Sequence, residues 1–115
     1  MNVSIPGIDM AEGICRTGGN SQIYLRFIKR FPDDPTFHLL TAAFEKKHFQ
    51  EAYVYAHTLK GLCAQLGITA LISPAEHICT LLKSCDSTSL SMAEKLLEEM
   101  TFLYTAIVRQ IAALP

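Results

Sequence analysis

The chain lacks several features that would each mark a function class. It has no long run of either charge sign: ten Lys and Arg nearly balance eleven Asp and Glu, leaving a formal net charge of -1 at pH 7. Nucleic-acid binders draw much of their affinity from clustered cations meeting phosphates, so a nucleic-acid partner is not expected. No apolar run approaches the roughly 20 residues that cross a bilayer. The opening Met1-Asn2-Val3-Ser4-Ile5-Pro6 has neither the basic start nor the apolar stretch of a secretion signal. A cytoplasmic chain without membrane contact is therefore expected. No CxxC pair occurs among Cys15, Cys63, Cys79 and Cys85, and three of the four fall in stretches that read as helix. Buried free thiols are the usual state of such residues, and a disulfide framework is not expected. Internal repeats and low-complexity linkers are absent too.

Also missing is any alternation of apolar and polar residues long enough to make a strand. Apolar spacing of three and four dominates instead, so the class is all-α. With 115 residues, half of them apolar, residues 1–115 suit one domain with one core. Asp9 can cap a short turn through Met10 to Cys15, ended by Gly18-Gly19. Asn20 can cap a helix with an apolar face of Ile23, Tyr24, Phe27, Ile28 and Phe31. Asp34 then suits an N-cap with Pro35 at the first helical position, opening a helix striped by Phe37, Leu40 and Phe44 that ends near Lys47 or His48. The next helix is expected from about Gln50 to Leu66, stopped by Gly67. Ser73-Pro74-Ala75-Glu76 resembles a capping box and predicts a helix from there to Lys83; Thr69 is an alternative start that would put Pro74 in the first turns. Asp86-Ser87-Thr88-Ser89 opens the last helix, striped by Leu96, Met100, Leu103, Tyr104, Ile107 and Ile111. Short turns between amphipathic helices favour an antiparallel bundle, and one bundle suffices to bury these stripes, so a monomer is expected.

The Gln50–Leu66 helix has two unlike faces when residues are placed at about 100° per position. Ala52, Tyr55, Leu59, Leu62, Cys63 and Leu66 fall away from His57 and form the expected core face. Tyr53, Lys60, Gly61 and Ala64 lie on the side of His57, with Val54 and Gln65 at its edges. Glycine inside a helix costs about 1 kcal/mol relative to alanine, yet Gly61 sits one turn beyond His57, where a side chain is expected to crowd the ring. Lys60, three residues on, can bring an ammonium to an anion on the imidazole. An accessible ring nitrogen, free space and an adjacent cation suit a histidine that accepts a phosphoryl group.

His57-Thr58-Leu59-Lys60-Gly61, preceded by Ala56 and followed by Leu66-Gly67, resembles the signature of histidine-containing phosphotransfer domains of bacterial phosphorelays. The resemblance extends to Gly7-Ile8-Asp9, to Arg16-Thr17-Gly18-Gly19-Asn20, and to Tyr24 and Phe31. It implies an antiparallel four-helix bundle with an additional short N-terminal helix. It also implies a phosphorelay intermediate in which His57 is phosphorylated by a receiver-domain aspartate and passes the group to another receiver. Lys60 would steady the phosphoryl group, and Gly61 would give access to it. The partners implied are response-regulator receiver domains and a hybrid sensor histidine kinase. The pattern departs at Leu62 and Cys63, where many relatives have small residues, and at Cys79, where several place a glutamine.

No Gly-rich nucleotide loop or metal-binding acidic motif is present, so autokinase activity, a cofactor and a resident metal are not expected. Each sharp reading has a plain counterpart. A lone exposed histidine is ordinarily a solvated residue, and His38, His48 and His77 are read so. Lys60 taken alone would be a solubilising lysine, and His77, Cys79 and Cys85 lack zinc-site spacing. Tyr53 and Val54, with Ala64 and Gln65, form a candidate docking surface; the alternative is that the N-terminal helix partly covers Tyr53 and Val54. A non-catalytic bundle that binds receiver domains, and a metal-binding bundle, are the competing functions.

Overall fold

Local capping decides where most helices begin. In the computed structural model, which describes residues 4–115, α1 spans Met10–Arg16, and the Asp9 carboxylate accepts from the Glu12 amide at 3.0 Å. Met1–Val3, the start of the segment read for a secretion signal, lie outside the described residues. Asn20 Oδ1 accepts from the amides of Gln22 and Ile23 at the start of α2, Ser21–Arg30. A 3-10 turn over Phe31–Asp33 leads to α3, Thr36–Glu45. Asp34 accepts from the Thr36 amide at 2.9 Å, and Pro35 already has helical backbone angles. The side-chain cap expected from Asp34 therefore forms, with regular helix starting one residue later. Next come α4, Phe49–Leu66, α5, Thr69–Ser84, and α6, Ser87–Ala112, the last capped by Asp86 on the Ser89 amide.

The start of α5 corrects the capping-box reading at Ser73 in favour of the alternative start at Thr69. The helix begins four residues earlier, at Thr69, and runs through Pro74. No side chain caps it there. The Gly7 carbonyl accepts from the Ala70 amide at 3.0 Å and from the Thr69 hydroxyl at 3.2 Å, so a distant segment does the work of a cap. Pro74 has no N–H to offer the Ala70 carbonyl, the cost ordinarily attached to proline inside a helix.

Helices α3 to α6 form the bundle, and consecutive helices run antiparallel through short turns. Phe37 at the start of α3 stacks on Tyr104 in the second half of α6, with ring centroids 4.2 Å apart. Phe31 packs obliquely on the same tyrosine at 5.7 Å. The buried core takes Leu40, Leu59, Leu71, Ile78, Met100 and Ile111 from the four helices and Tyr24 and Ile28 from α2. Several expected core positions are displaced. Ile23, Phe27 and Leu103 are each more than two-fifths exposed, because their apolar stripes are wider than the strip the neighbouring helices cover. Cys63 and Cys79 are buried thiols, whereas Cys15 and Cys85 are exposed, contrary to the expectation for the helical Cys15.

The N-terminal segment fastens onto the turn between α4 and α5. Gly67 adopts the left-handed conformation at φ 72°, with Ile68 N donating to Cys63 O and Gly67 N to Ala64 O, a Schellman-type stop. Its carbonyl accepts from the Asp9 amide at 2.7 Å. Tyr24 Oη donates to the Leu66 carbonyl at 2.8 Å. Gly13 sits where a side chain has no room: a β-carbon would overlap the Tyr24 ring and lie 2.6 Å from the Leu66 carbonyl oxygen. Burial first, and the Asp9 charge second, push the Tyr24 hydroxyl up to about 12. The Gly7-Ile8-Asp9 element thus holds the N-terminal segment on the α4–α5 turn, while Gly18-Gly19-Asn20 closes α1 and caps α2.

Candidate functional site

The register of α4 is set by residues buried at intervals of four and three: Ala52, Ala56, Leu59, Cys63 and Leu66. Tyr55 and Leu62, expected in the core, are half-buried at its margins, and Ala56 is fully buried. Small residues at 52 and 56 let neighbouring helices approach closely, so the stripe is narrower than the wheel predicts. The rotation leaves His57 exposed in mid-helix. Its ring lies 6.3 Å from that of Tyr53, tilted by 40°. Among the described residues the imidazole takes part in no hydrogen bond, so both ring nitrogens are free of competing partners.

Gly61 faces open space. A β-carbon there would meet no atom within 4 Å, so a methyl group alone would not crowd the His57 ring. Among the described residues no packing against a β-carbon requires the glycine, although it weakens the helix. Ala64 is half-buried, and Gln65, although exposed, is engaged through its amide nitrogen with the Arg16 carbonyl at 2.9 Å. That contact belongs to the anchoring of α1, which packs at the C-terminal end of α4. Tyr53 and Val54 lie at the opposite end and are not covered by α1. Val54 is 57% exposed. Together with Phe49, Leu82 and Cys85 they line a shallow groove of about 460 Å³ between α4 and the last turn of α5.

The neighbour across the site is α5. Lys60 stands opposite Glu76, and Tyr53 opposite Leu82 and Lys83, which brings Cys79 level with His57. Lys60 Nζ is 3.9 Å from Glu76 Oε1. Burial raises the Cys79 thiol above its ordinary value, while the Lys60 charge lowers it and that of Glu76 raises it again, so the three side chains share one locality. Burial there disfavours the thiolate, the form that binds metals and attacks as a nucleophile. The sequence reading did not place Glu76, Leu82 or Cys85 beside His57; only the pairing of α4 with α5 brings them here. His77 is exposed on α5, and no group of three or more His, Cys, Asp or Glu is arranged to hold a metal among the described residues.

A helical bundle that presents an exposed, unengaged imidazole with a lysine one turn on, and has an open surface beside it, has the form of a phosphoryl carrier. A family model of the Hpt domain matches residues 27–114, and the chain belongs to that family. Hpt domains act in phosphotransfer in two-component signalling, as carriers rather than catalysts, and interact with receiver domains and kinases. Comparisons with the curated proteins and with the solved structures gave no match. The match begins at Phe27, so the roles of Gly7, Asp9, Gly13 and Asn20 rest on the contacts described above.

Proposed function

We propose that this chain is a phosphorelay intermediate in which His57 receives a phosphoryl group from a receiver-domain aspartate and passes it to a second receiver. The observation that carries the reading is the exposed His57 imidazole, free of hydrogen-bond partners, beside Lys60 and the open surface at Gly61. In the forward step a neutral ring nitrogen attacks phosphorus, the N–P bond forms, and the P–O bond to the aspartate breaks, its electron pair leaving with the carboxylate. Transfer to the second receiver is the reverse reaction on a different carboxylate. Positioning and charge neutralisation dominate such steps. This chain contributes the nucleophile and the Lys60 cation, and the receiver supplies its own acidic pocket and metal.

Tyr53 and Val54 form the apolar part of the docking surface, and Ala64 and the free carbonyl end of Gln65 form its other edge. Donors and acceptors are response-regulator receiver domains, with a hybrid sensor histidine kinase upstream. The chain works as a cytoplasmic monomer of one domain, residues 1–115, without autokinase activity, nucleic acid or membrane contact of its own. Among the described residues no helix is long and apolar enough to cross a membrane.

The test mixes the chain with a phosphorylated receiver and a second, unphosphorylated one. Label moving to the second receiver only when this chain is present supports the reading. Absence of any label on the chain across a panel of receivers refutes it. Lys60→Ala is expected to slow transfer, or to shorten the phosphohistidine lifetime, without altering the fold.

A further inference from the structure

Lys60 has a partner before any phosphate arrives. Its ammonium lies at the outer limit of ion-pair distance from Glu76, with the two side chains 37% and 61% exposed. Exposed pairs of this kind are weak, and a lysine ammonium on its flexible stem is easily redirected. Glu76 is bound to nothing else through its carboxylate among the described residues. A phosphoryl group on His57 would present nearly two negative charges and three acceptor oxygens on the same helical surface, three residues from Lys60. The stronger anion captures the lysine. The carboxylate then stands unpaired near a dianion, with the Cys79 thiol, whose ionisation burial disfavours, in the same locality.

We infer that Glu76 is a positioning residue of the phosphoryl site: it holds Lys60 while His57 is unmodified and gives it up to the phosphoryl oxygens, and this exchange limits how firmly His57 keeps its phosphate. The inference rests on His57 being the phosphorylated residue. It gives the carrier a built-in means of keeping phosphohistidine labile, since the ion pair must be broken to load the site and is regained on unloading.

Phosphoramidate serves as the probe, so that no partner protein is needed. The imidazole nitrogen attacks its phosphorus and ammonia leaves. Loss of the label is hydrolysis, in which a water oxygen attacks phosphorus, the N–P bond breaks with its electron pair on the ring nitrogen, and inorganic phosphate departs. The decay of phosphohistidine is followed by ³¹P NMR in the wild type, Glu76→Gln, Lys60→Met and the double variant. Glu76→Gln is expected to lengthen the lifetime about two- to fivefold, the range that an exposed ion pair supports. In the Lys60→Met background the same change should lengthen it clearly less, because only the repulsion between carboxylate and phosphate is then relieved. An unchanged lifetime in Glu76→Gln overturns the inference, as does equal lengthening in both backgrounds, which would make Glu76 a simple source of repulsion. The ¹³Cε resonance of Lys60 in the unmodified chain supplies a second readout: it should move in Glu76→Gln, and a fixed resonance overturns the inference while leaving His57 as the carrier. A wild type that takes no label on His57 defeats the phosphotransfer reading itself.

Discussion

Replacing Gly61 by alanine should make the protein more stable and less competent. The glycine lies in the middle of α4 with ordinary negative φ, and an added β-carbon meets nothing within 4 Å. Alanine therefore recovers the helix propensity lost to glycine, about 0.8 to 1 kcal/mol, with no steric charge against it in the free chain. A domain of this length unfolds with an entropy of about 0.24 kcal/mol/K, so the melting temperature should rise by about 3 to 4 °C. Transfer is expected to respond in the opposite sense, because the space at Gly61 belongs to the approaching partner. A misfit of about 1.4 kcal/mol in the transfer complex slows the step about tenfold, and Gly61→Gln should slow it further. The assay pairs thermal unfolding with receiver-dependent phosphorylation, using phosphoramidate as a small donor that needs little room. Both variants should accept phosphate from phosphoramidate at close to the wild-type rate. The reasoning is refuted if Gly61→Ala lowers the melting temperature, or if receiver-dependent transfer survives both substitutions unchanged.

Three further outcomes test the scaffold. Gly13→Ala should destabilise the protein by about 1 to 3 kcal/mol, the usual cost of overpacking, since its β-carbon would overlap the Tyr24 ring and crowd the Leu66 carbonyl; denaturant unfolding measures it. Tyr104→Phe should leave stability unchanged or raise it by about 1 kcal/mol, because the buried Tyr104 hydroxyl has no hydrogen-bond partner among the described residues; a loss above about 2 kcal/mol would show that the hydroxyl is satisfied in solution. Stability should fall as pH rises from about 9 towards 12. The Tyr24 hydroxyl and the Cys63 thiol are both held up to about 12, by burial first, then by Asp9 and Asp34 respectively. The folded state thus keeps protons that the unfolded chain sheds near its ordinary values of 10.0 and 9.0, and the stabilisation, complete below that range, is lost through it. Denaturant midpoints across the alkaline range check the sign.

What was readable in the sequence was chiefly what local chemistry controls. Asp9, Asn20 and Asp86 cap the helices they precede, and Gly67 ends α4 in the left-handed conformation, because each effect acts within a few residues. Of the two starts expected for α5, the alternative at Thr69 is the one found, since Thr69 and Ala70 are held by the Gly7 carbonyl, some sixty residues away in the chain, while Ser73-Pro74-Ala75-Glu76 carried the stronger local signal. Periodicity found the stripes but not their width, which explains the exposure of Ile23, Phe27 and Leu103 and the burial of Ala56 in place of Tyr55 and Leu62. The candidate site divides in the same way. Spacing places His57, Lys60 and Gly61 on one helical surface, and the resemblance to phosphotransfer domains gave them their expected roles. Glu76 and the groove residues Leu82 and Cys85 come from α5, and no spacing within α4 points to them. Gln65, read as a docking residue, proved to be tied by its amide to Arg16, a contact between elements that the wheel cannot show.

The most direct measurement is the position and acid lability of the phosphate acquired from a phosphorylated receiver. Wild-type chain should carry one acid-labile phosphoryl group, located at His57 by peptide mapping, and His57→Gln should fold normally and carry none. A His57→Gln variant labelled as well as the wild type would contradict the account.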